Sequence, residues 1–448
     1  MNITNILKIS ALVLGIGVVS TPLIYQKQIN KTFQIVKNEL NQNHILLKEK
    51  TNQDNYTTLK REYILYIEDS KYIIKKLYPQ IDPLMLQDLK TLLDNSKFLI
   101  SLNFTKYPIY HKDAITLTLL SLNENIINKL NKDNPGKQLL TFIKNKGLEA
   151  FFDINNLQIS KAKLKDINLK ISDNQSFFNF IITNSYINLK NKDINTHISN
   201  LKFELKDEEN DVFYISNLNH SMKYKNEFNY NTSLRIDTLN YRFQKNKANI
   251  KLMINKLNVF SKVESNFNKL NINNDLRLNK LQISEKTDYS NDIINIEGFR
   301  FNIEFNKIDL NSFKKLSKSI QTEEYTNIEY TLKDILNNGL NIKINPLSLK
   351  KAQLKTNIKN IDISKITFNL NTDIKHNNLT LDNINNITAY LDLNLNLITT
   401  KNNIKLLEEI MPISRFYLQN IITEKNNNIM INLSYKNQKL LSNGKQVF

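Results

Sequence analysis

The chain has 448 residues and a formal net charge of +18, with no cysteine, no tryptophan and only 7 glycines and 7 prolines. That length suits one very extended β-domain or two or three compact ones. The missing cysteine excludes a disulfide framework, a thiolate metal site and a cysteine nucleophile, and the interspersed charges exclude wholesale disorder. A strongly basic chain would suit nucleic acid or an anionic membrane surface. Here the basic residues alternate with leucines instead of forming a patch, so lysine reads as the favoured surface residue and no nucleic-acid partner is expected. With glycine and proline scarce, turns must lean on Asn and Asp, which tolerate left-handed backbone.

The first feature in chain order is Ile9–Tyr25, ISALVLGIGVVSTPLIY, uncharged and bounded by Lys8 and Lys27. As a helix it spans about 26 Å, near the minimum for a bilayer core. A cleaved signal peptide is the competing reading, but the run continues through Leu23 and Ile24 without an A-x-A pattern. Residues 1–26 are therefore expected to be an uncleaved single-pass membrane anchor. Residues 27–75 read as helical or loosely structured, with apolar residues at mixed helical spacings. Asp82-Pro83 then opens a helix striped by Leu84, Leu86, Leu89, Leu92 and Leu93. Phe98–Phe104 and Ala114–Leu122 are strand candidates, and a break at Pro135-Gly136 precedes a helix over Gln138–Lys146 that Gly147 closes. Residues 27–150 thus form a mixed α/β membrane-proximal region.

From Phe151 the apolar period becomes two, over residues 151–448. Examples are Leu201/Phe203/Leu205, Leu239/Tyr241/Phe243, Ile250/Leu252/Ile254, Leu276/Leu278, Phe299/Phe301/Ile303/Phe305 and Ile429/Ile431/Leu433. The clearest case is Ala389–Ile398, which sets Leu391, Leu393, Leu395 and Leu397 on one parity and Asp392, Asn394 and Asn396 on the other. In a strand, that pattern makes one greasy face and one wet face. Turns are expected at Asn273-Asn274-Asp275, His376-Asn377-Asn378 and Asn426-Asn427-Asn428. Helices are expected near 311–321, 326–338 and 404–423, the last kinked at Pro412. The fold class is mainly β with a few helices (α+β): a long antiparallel, curved sheet or a β-sandwich behind an N-terminal transmembrane helix.

Chemistry is not announced. His44, His111, His197, His220 and His376 share no ligand spacing, and the pairs Glu208-Glu209, Glu323-Glu324 and Glu408-Glu409 point apart on helix and strand alike. None of the glycines forms a nucleophile elbow, a dinucleotide fingerprint or a phosphate loop. No catalytic, metal or cofactor-binding residue is assigned, and the chain is not read as an enzyme.

Two C-terminal stretches resemble a known family. Asn338–Ile358, NGLNIKINPLSLKKAQLKTNI, resembles the segment of the bacterial YdgA-like proteins where a helix runs into a short strand, a Pro-Leu-Ser turn and another strand. Asn428–Gln446, with Tyr435 and Asn443-Gly444-Lys445, resembles their closing hairpin. The chain departs from them at Leu349, where they often carry Trp, and at Tyr107–Lys112, which lacks their histidine-glycine-proline-phenylalanine motif. The resemblance implies a single-pass inner-membrane protein with its bulk in the periplasm, from a family without an established activity.

The leading functional expectation is an envelope protein that binds lipid or another apolar partner along a hydrophobic sheet face. Leu391, Leu393, Leu395, Leu397, Phe368 and Leu370 are its candidate residues. The alternatives are a structural or assembly factor that holds partner proteins along strand edges, and an enzyme whose carboxylates only the fold brings together; a homo-oligomer is a further expected association.

Overall fold

A computed structural model describes residues 37–448 except 39, 55–57, 78–81, 106–112, 156–157, 174–175, 191–192, 323, 382, 411–420, 426–427 and 448. The expected anchor at Ile9–Tyr25 lies outside the described residues. Among those described, no helix is long and apolar enough to cross a membrane. The chain is mainly β, its described strand pairs are antiparallel, and it divides into two compact units, residues 1–216 and 217–448.

In the first unit, β1 (Ile45–Asp54) and β2 (Thr58–Ile67) form a hairpin. This corrects the helical or loose reading of residues 27–75. Ile45 and Leu47 align with Ile67 and Leu65, so buried residues recur at a period of two, while the polar stretch Lys48–Asp54 hides the alternation. Two helices follow, α1 (Lys71–Leu77) and α2 (Pro83–Leu93). As the spacing predicts, Asp82 caps α2, its Oδ1 accepting from the N–H groups of Leu84 and Met85.

The meander continues through β3 (Lys97–Thr105) and β4 (Asp113–Ser121) to α3 (Glu124–Leu130) and α4 (Asn134–Lys144). Pro135 and Gly136 do not break the chain before α4 but sit in its first turn, where a missing N–H costs nothing. Asp133 Oδ1 accepts from the Gly136 N–H at 2.6 Å, and a Cβ there would lie 2.0 Å from the Leu130 carbonyl oxygen. Next come β5 (Glu149–Asn155), β6 (Gln158–Leu164), β7 (Ile167–Ser172), β8 (Phe177–Lys190) and β9 (Asp193–Lys206). β6 and β7 share one edge of β8, pairing along Ser185–Asn188 and Phe177–Ile182 respectively. The four helices and the sheet close on a single core that includes Ile45, Ile67, Ile74, Leu93, Phe98, Leu119, Phe152 and Ile167, all buried.

The division between units falls within β10 (Glu209–Asn226). The second unit builds very long hairpins from β11 (Asn229–Lys245), β12 (Ala248–Asn266), β13 (Lys269–Lys286) and β14 (Asn291–Asp309). Tight turns carry left-handed residues, Asn246 in one and Phe267 with Asn268 in another, the φ signs that match strand twist. Asn273-Asn274-Asp275 is not a turn; it lies inside β13, where Asn273 and Asp275 share one face and Asn274 falls on the parity of Ile272 and Leu276.

The helices α5 (Leu310–Gln321), capped by Asp309, and α6 (Tyr325–Asn337) follow, close to the expected spans. β15 (Leu340–Lys355) then pairs with β16 (Asn360–Ile374). The expected Pro-Leu-Ser turn is instead a bulge inside β15, between Ile344 and Leu347. Pro346 cannot donate to the ladder, and a bulge is where a strand tolerates that.

β17 (Leu391–Thr400) pairs with β16 and with β19 (Asn428–Lys436). Of the expected helix over 404–423, the described part is α7 (Lys401–Ile410), residues 411–420 lie outside the described residues, and Ile422–Lys425 is a strand, β18, with Ile422 opposite Ile431. Its Ile and Thr residues favour a pleated surface over a helix. Pro412 lies outside the described residues. β20 (Lys439–Ser442) and β21 (Lys445–Gln446) close the chain.

A line of skipped positions crosses the second unit. The ladder passes over Asp237 and Lys256 between β11 and β12, and over Lys256 and Asn279 between β12 and β13. It continues through Asn279 and Gly298 to Lys350 and Lys365. Lys256, Gly298 and Lys365, on alternate strands, have φ of 53°, 61° and 46°. On each strand the apolar parity switches at this line: Leu252 and Ile254 against Leu257 and Val259, Ile294 and Ile296 against Phe299 and Phe301, Ile361 and Ile363 against Ile366 and Phe368. A left-handed residue turns the backbone locally, so one apolar stripe can continue past a change of parity that would otherwise send it to the other face.

Candidate functional site: an apolar face across eight strands

The six residues singled out from sequence come together. Phe368 lies opposite Leu397 and Leu370 opposite Leu395, with Leu391 and Leu393 aligned to Ile374 and Thr372. They belong to a longer pattern. One row runs Leu234–Val259–Leu276–Phe301–Leu347–Phe368–Leu397–Ile431, each residue paired with the next across β11 to β17 and β19. Eight strands spaced by about 4.8 Å make this row roughly 34 Å long, comparable with the apolar thickness of a bilayer. Beside it, Ile236–Leu257–Leu278–Phe299 and the pair Leu349–Ile366 form a second row.

Burial distinguishes this face from a closed core. Leu257, Val259, Leu276, Leu278, Phe299, Phe301, Leu347 and Phe368 are all half-buried. A fully packed sandwich would take such side chains out of water almost completely. The face is covered on one flank and at one end. α5 and α6 cover Val263, Leu270, Ile272, Phe305, Ile308 and Ile342, while Leu397, Ile431 and Leu433 pack with Ile404 of α7. Between the caps the rows stay partly open.

The opposite side is wet. Asn369–Asn396–Asn432 and Asn371–Asn394–Ser434 are aligned across β16, β17 and β19, and Asn396 donates to Asn432, which donates to Asn443. A shallow depression of about 550 Å³ lies between these two asparagine rows, over the backbone of Leu370, Leu395 and Leu433. Further along, Asp275 accepts from Arg277 and Arg300 at 2.8 and 3.3 Å. Pairing of this kind satisfies polar groups without making an acid/base couple.

The histidines do not assemble a site: His197 bonds Ser199 at 2.9 Å, His220 bonds Thr232 at 3.0 Å, and His111 lies outside the described residues. Among the described residues, no group of three His, Asp or Glu could hold a metal ion. The asymmetric feature is the lysine-rich line beside the second apolar row. Lys256, Lys350 and Lys365 are exposed, and Asp237 lies beside Lys256. Arg235, Asn217 and then Lys256 hold the Asp237 carboxyl below its usual range.

Sequence reasoning found the β16 and β17 part of the face but not its extent, because cross-strand register is set by pairing over hundreds of residues. Comparison with family models, curated proteins and solved structures found no match.

Proposed function

We propose that the second unit binds the acyl chains of a lipid along its apolar sheet face, in a protein held at the bacterial inner membrane by residues 9–25 with its bulk in the periplasm. The row from Leu234 to Ile431 carries this reading: eight paired apolar residues, seven of them half-buried, with a helix packed only on the Leu397–Ile431 end. An apolar strip of that length left partly open to water needs a partner, since contiguous exposed apolar surface marks a binding site. A flexible chain suits a strip one or two residues wide better than a compact protein does. The exposed lysines of the neighbouring line favour an anionic headgroup over a zwitterionic one.

The test is native mass spectrometry of the full chain extracted in mild detergent and mixed with phosphatidylglycerol or phosphatidylcholine. Wild-type protein is expected to retain lipid, phosphatidylglycerol above phosphatidylcholine. Phe301→Glu combined with Leu347→Glu should reduce retention at least tenfold while the far-ultraviolet circular dichroism stays unchanged. Lipid-free wild-type protein, or retention indifferent to the double substitution, refutes the reading.

A further inference from the structure

A different cavity lies in the first unit and owes nothing to the sheet face of the second. Two adjacent rows frame it: Ala150–Leu164–Ser185–Ile198, and Phe152–Ala162–Ile187–Thr196. Between them runs Lys163–Tyr186–His197, of the other parity, so the void lies over backbone. In each row large and small side chains alternate, and the small ones, Ala150, Ala162, Ser185 and Thr196, leave about 140 Å³ unfilled. Its lining is almost wholly apolar.

The space is not an accident of one substitution. It sits where β6 ends and β8 passes through its left-handed residue, Asn184 (φ 48°), whose N–H donates to Asp166 at 2.8 Å. The adjoining Ser185 is 9% exposed, and its Oγ is buried without a hydrogen-bond partner. A folded core is normally packed to crystal-like density and leaves few hydroxyls unpaired. An apolar pocket partly open to solvent, with one buried hydroxyl left unpaired on its wall, departs from both, and a ligand that fills the one and bonds the other resolves both.

We propose that this cavity binds a small uncharged apolar molecule of phenol size carrying one oxygen, which Ser185 Oγ engages. The size follows from the volume, since an apolar cavity of about 150 Å³ accommodates a benzene ring. No acidic group lines it to pair with a cation, and the basic residues beside it, Lys163 and His197, belong to the other parity, so with so little polar surface an ion of either sign is costly to desolvate there.

The experiment uses the full chain, with phenol, toluene and benzoate as probes in ligand-observed saturation-transfer NMR and isothermal titration. Phenol should bind several-fold more tightly than toluene, and benzoate should not bind. Ser185→Ala should abolish the preference of phenol over toluene while leaving toluene binding in place. Ala162→Leu, which fills the space, should abolish both; Thr196→Ile provides the same block from the other strand if Ala162→Leu melts early. Phenol that fails to bind the wild type, or binds the filled variants unchanged, overturns the proposal. An unaltered phenol-to-toluene ratio in Ser185→Ala removes Ser185 from it.

Discussion

The two units solve the same problem, a strand that is greasy on one side, in opposite ways. The first lays four short helices against its sheet and closes a core in which full burial is the rule, for Ile45, Ile67, Ile74, Phe98 and Phe152 among others. The second lengthens its strands to as many as 19 residues, covers one flank of its apolar rows with α5 and α6 and one end with α7, and leaves the middle half-buried. Stability in the first resides in packing that excludes water; in the second it resides in ladders of backbone hydrogen bonds and in partial burial. The hydrophobic surface that the first unit uses on itself, the second keeps available.

The largest expected effect tests that contrast directly. Phe98→Ala in the first unit removes a ring with no exposed surface and should cost about 3–5 kcal/mol. Leu276→Ala in the long apolar row removes a side chain already partly in water and should cost roughly 1 kcal/mol. Urea unfolding followed by circular dichroism and by intrinsic tyrosine fluorescence measures both. Equal losses would mean that the second unit's face is as closed as the first unit's core, and the distinction between them would fall.

An ion pair in the first unit gives the next effect. Glu204 lies 2.7 Å from Lys202 Nζ and 3.0 Å from Lys206 Nζ, with little side-chain exposure. Lys202, with help from Lys206 and Asn179, pulls its carboxyl down from 4.5 to about 2 despite burial. A carboxyl depressed on folding stabilises the fold fully above its unfolded value and loses that contribution as pH falls through the folded one. The first unit should therefore lose about 2 kcal/mol between pH 5 and pH 2 through this residue, a figure reduced by the solvent exposure of both lysines. In Glu204→Gln that part of the pH dependence should vanish, leaving the variant less stable than wild type at pH 7 and no less stable at pH 2. An unchanged acid profile, read from thermal midpoints across that range, would show that the triad contributes nothing.

How much of this was legible depends on how local the cause is. Leu391, Leu393, Leu395 and Leu397 declare a face because strand parity is a two-residue rule, and Asp82-Pro83 declares a helix start because a cap needs only three residues. The hairpin of β1 and β2 was hidden because half of it, Lys48–Asp54, is polar on both faces. Asn273-Asn274-Asp275 looks like a turn by composition, yet it is held straight by neighbours on both sides, Ser261 and Lys262 across one ladder and Ile303 and Glu304 across the other. The cavity beside Ser185 was illegible, since four small residues on four strands make a void only when register places them together. The parity switches were in plain view: Ile254 to Leu257 and Ile296 to Phe299 break the alternation at a fixed place, a mid-strand change of phase. Only the pairing shows that these breaks line up.

That line supplies the smallest and most pointed effect. In ordinary strand interior, glycine weakens the fold by about 0.5–1 kcal/mol because it surrenders more freedom and packs nothing. Lys365, however, is held at φ 46°, a conformation that costs a residue with a Cβ roughly 1–2 kcal/mol. Lys365→Gly should therefore be neutral or stabilising by a few tenths of a kcal/mol, whereas Lys351→Gly, on the adjoining strand in extended backbone, should lose the ordinary amount. Gly298→Ala runs the same test in reverse: its φ is 61° and the added methyl would lie 2.5 Å from Lys350 Cγ, so it should destabilise. Urea midpoints of the three variants decide the matter by sign. If Lys365→Gly costs as much as Lys351→Gly, the left-handed residues are incidental to the sheet. If the signs divide as expected, the second unit stores backbone strain along one line to hold its apolar rows on one side. The first unit has a counterpart in Asn184 of β8, beside the cavity at Ser185.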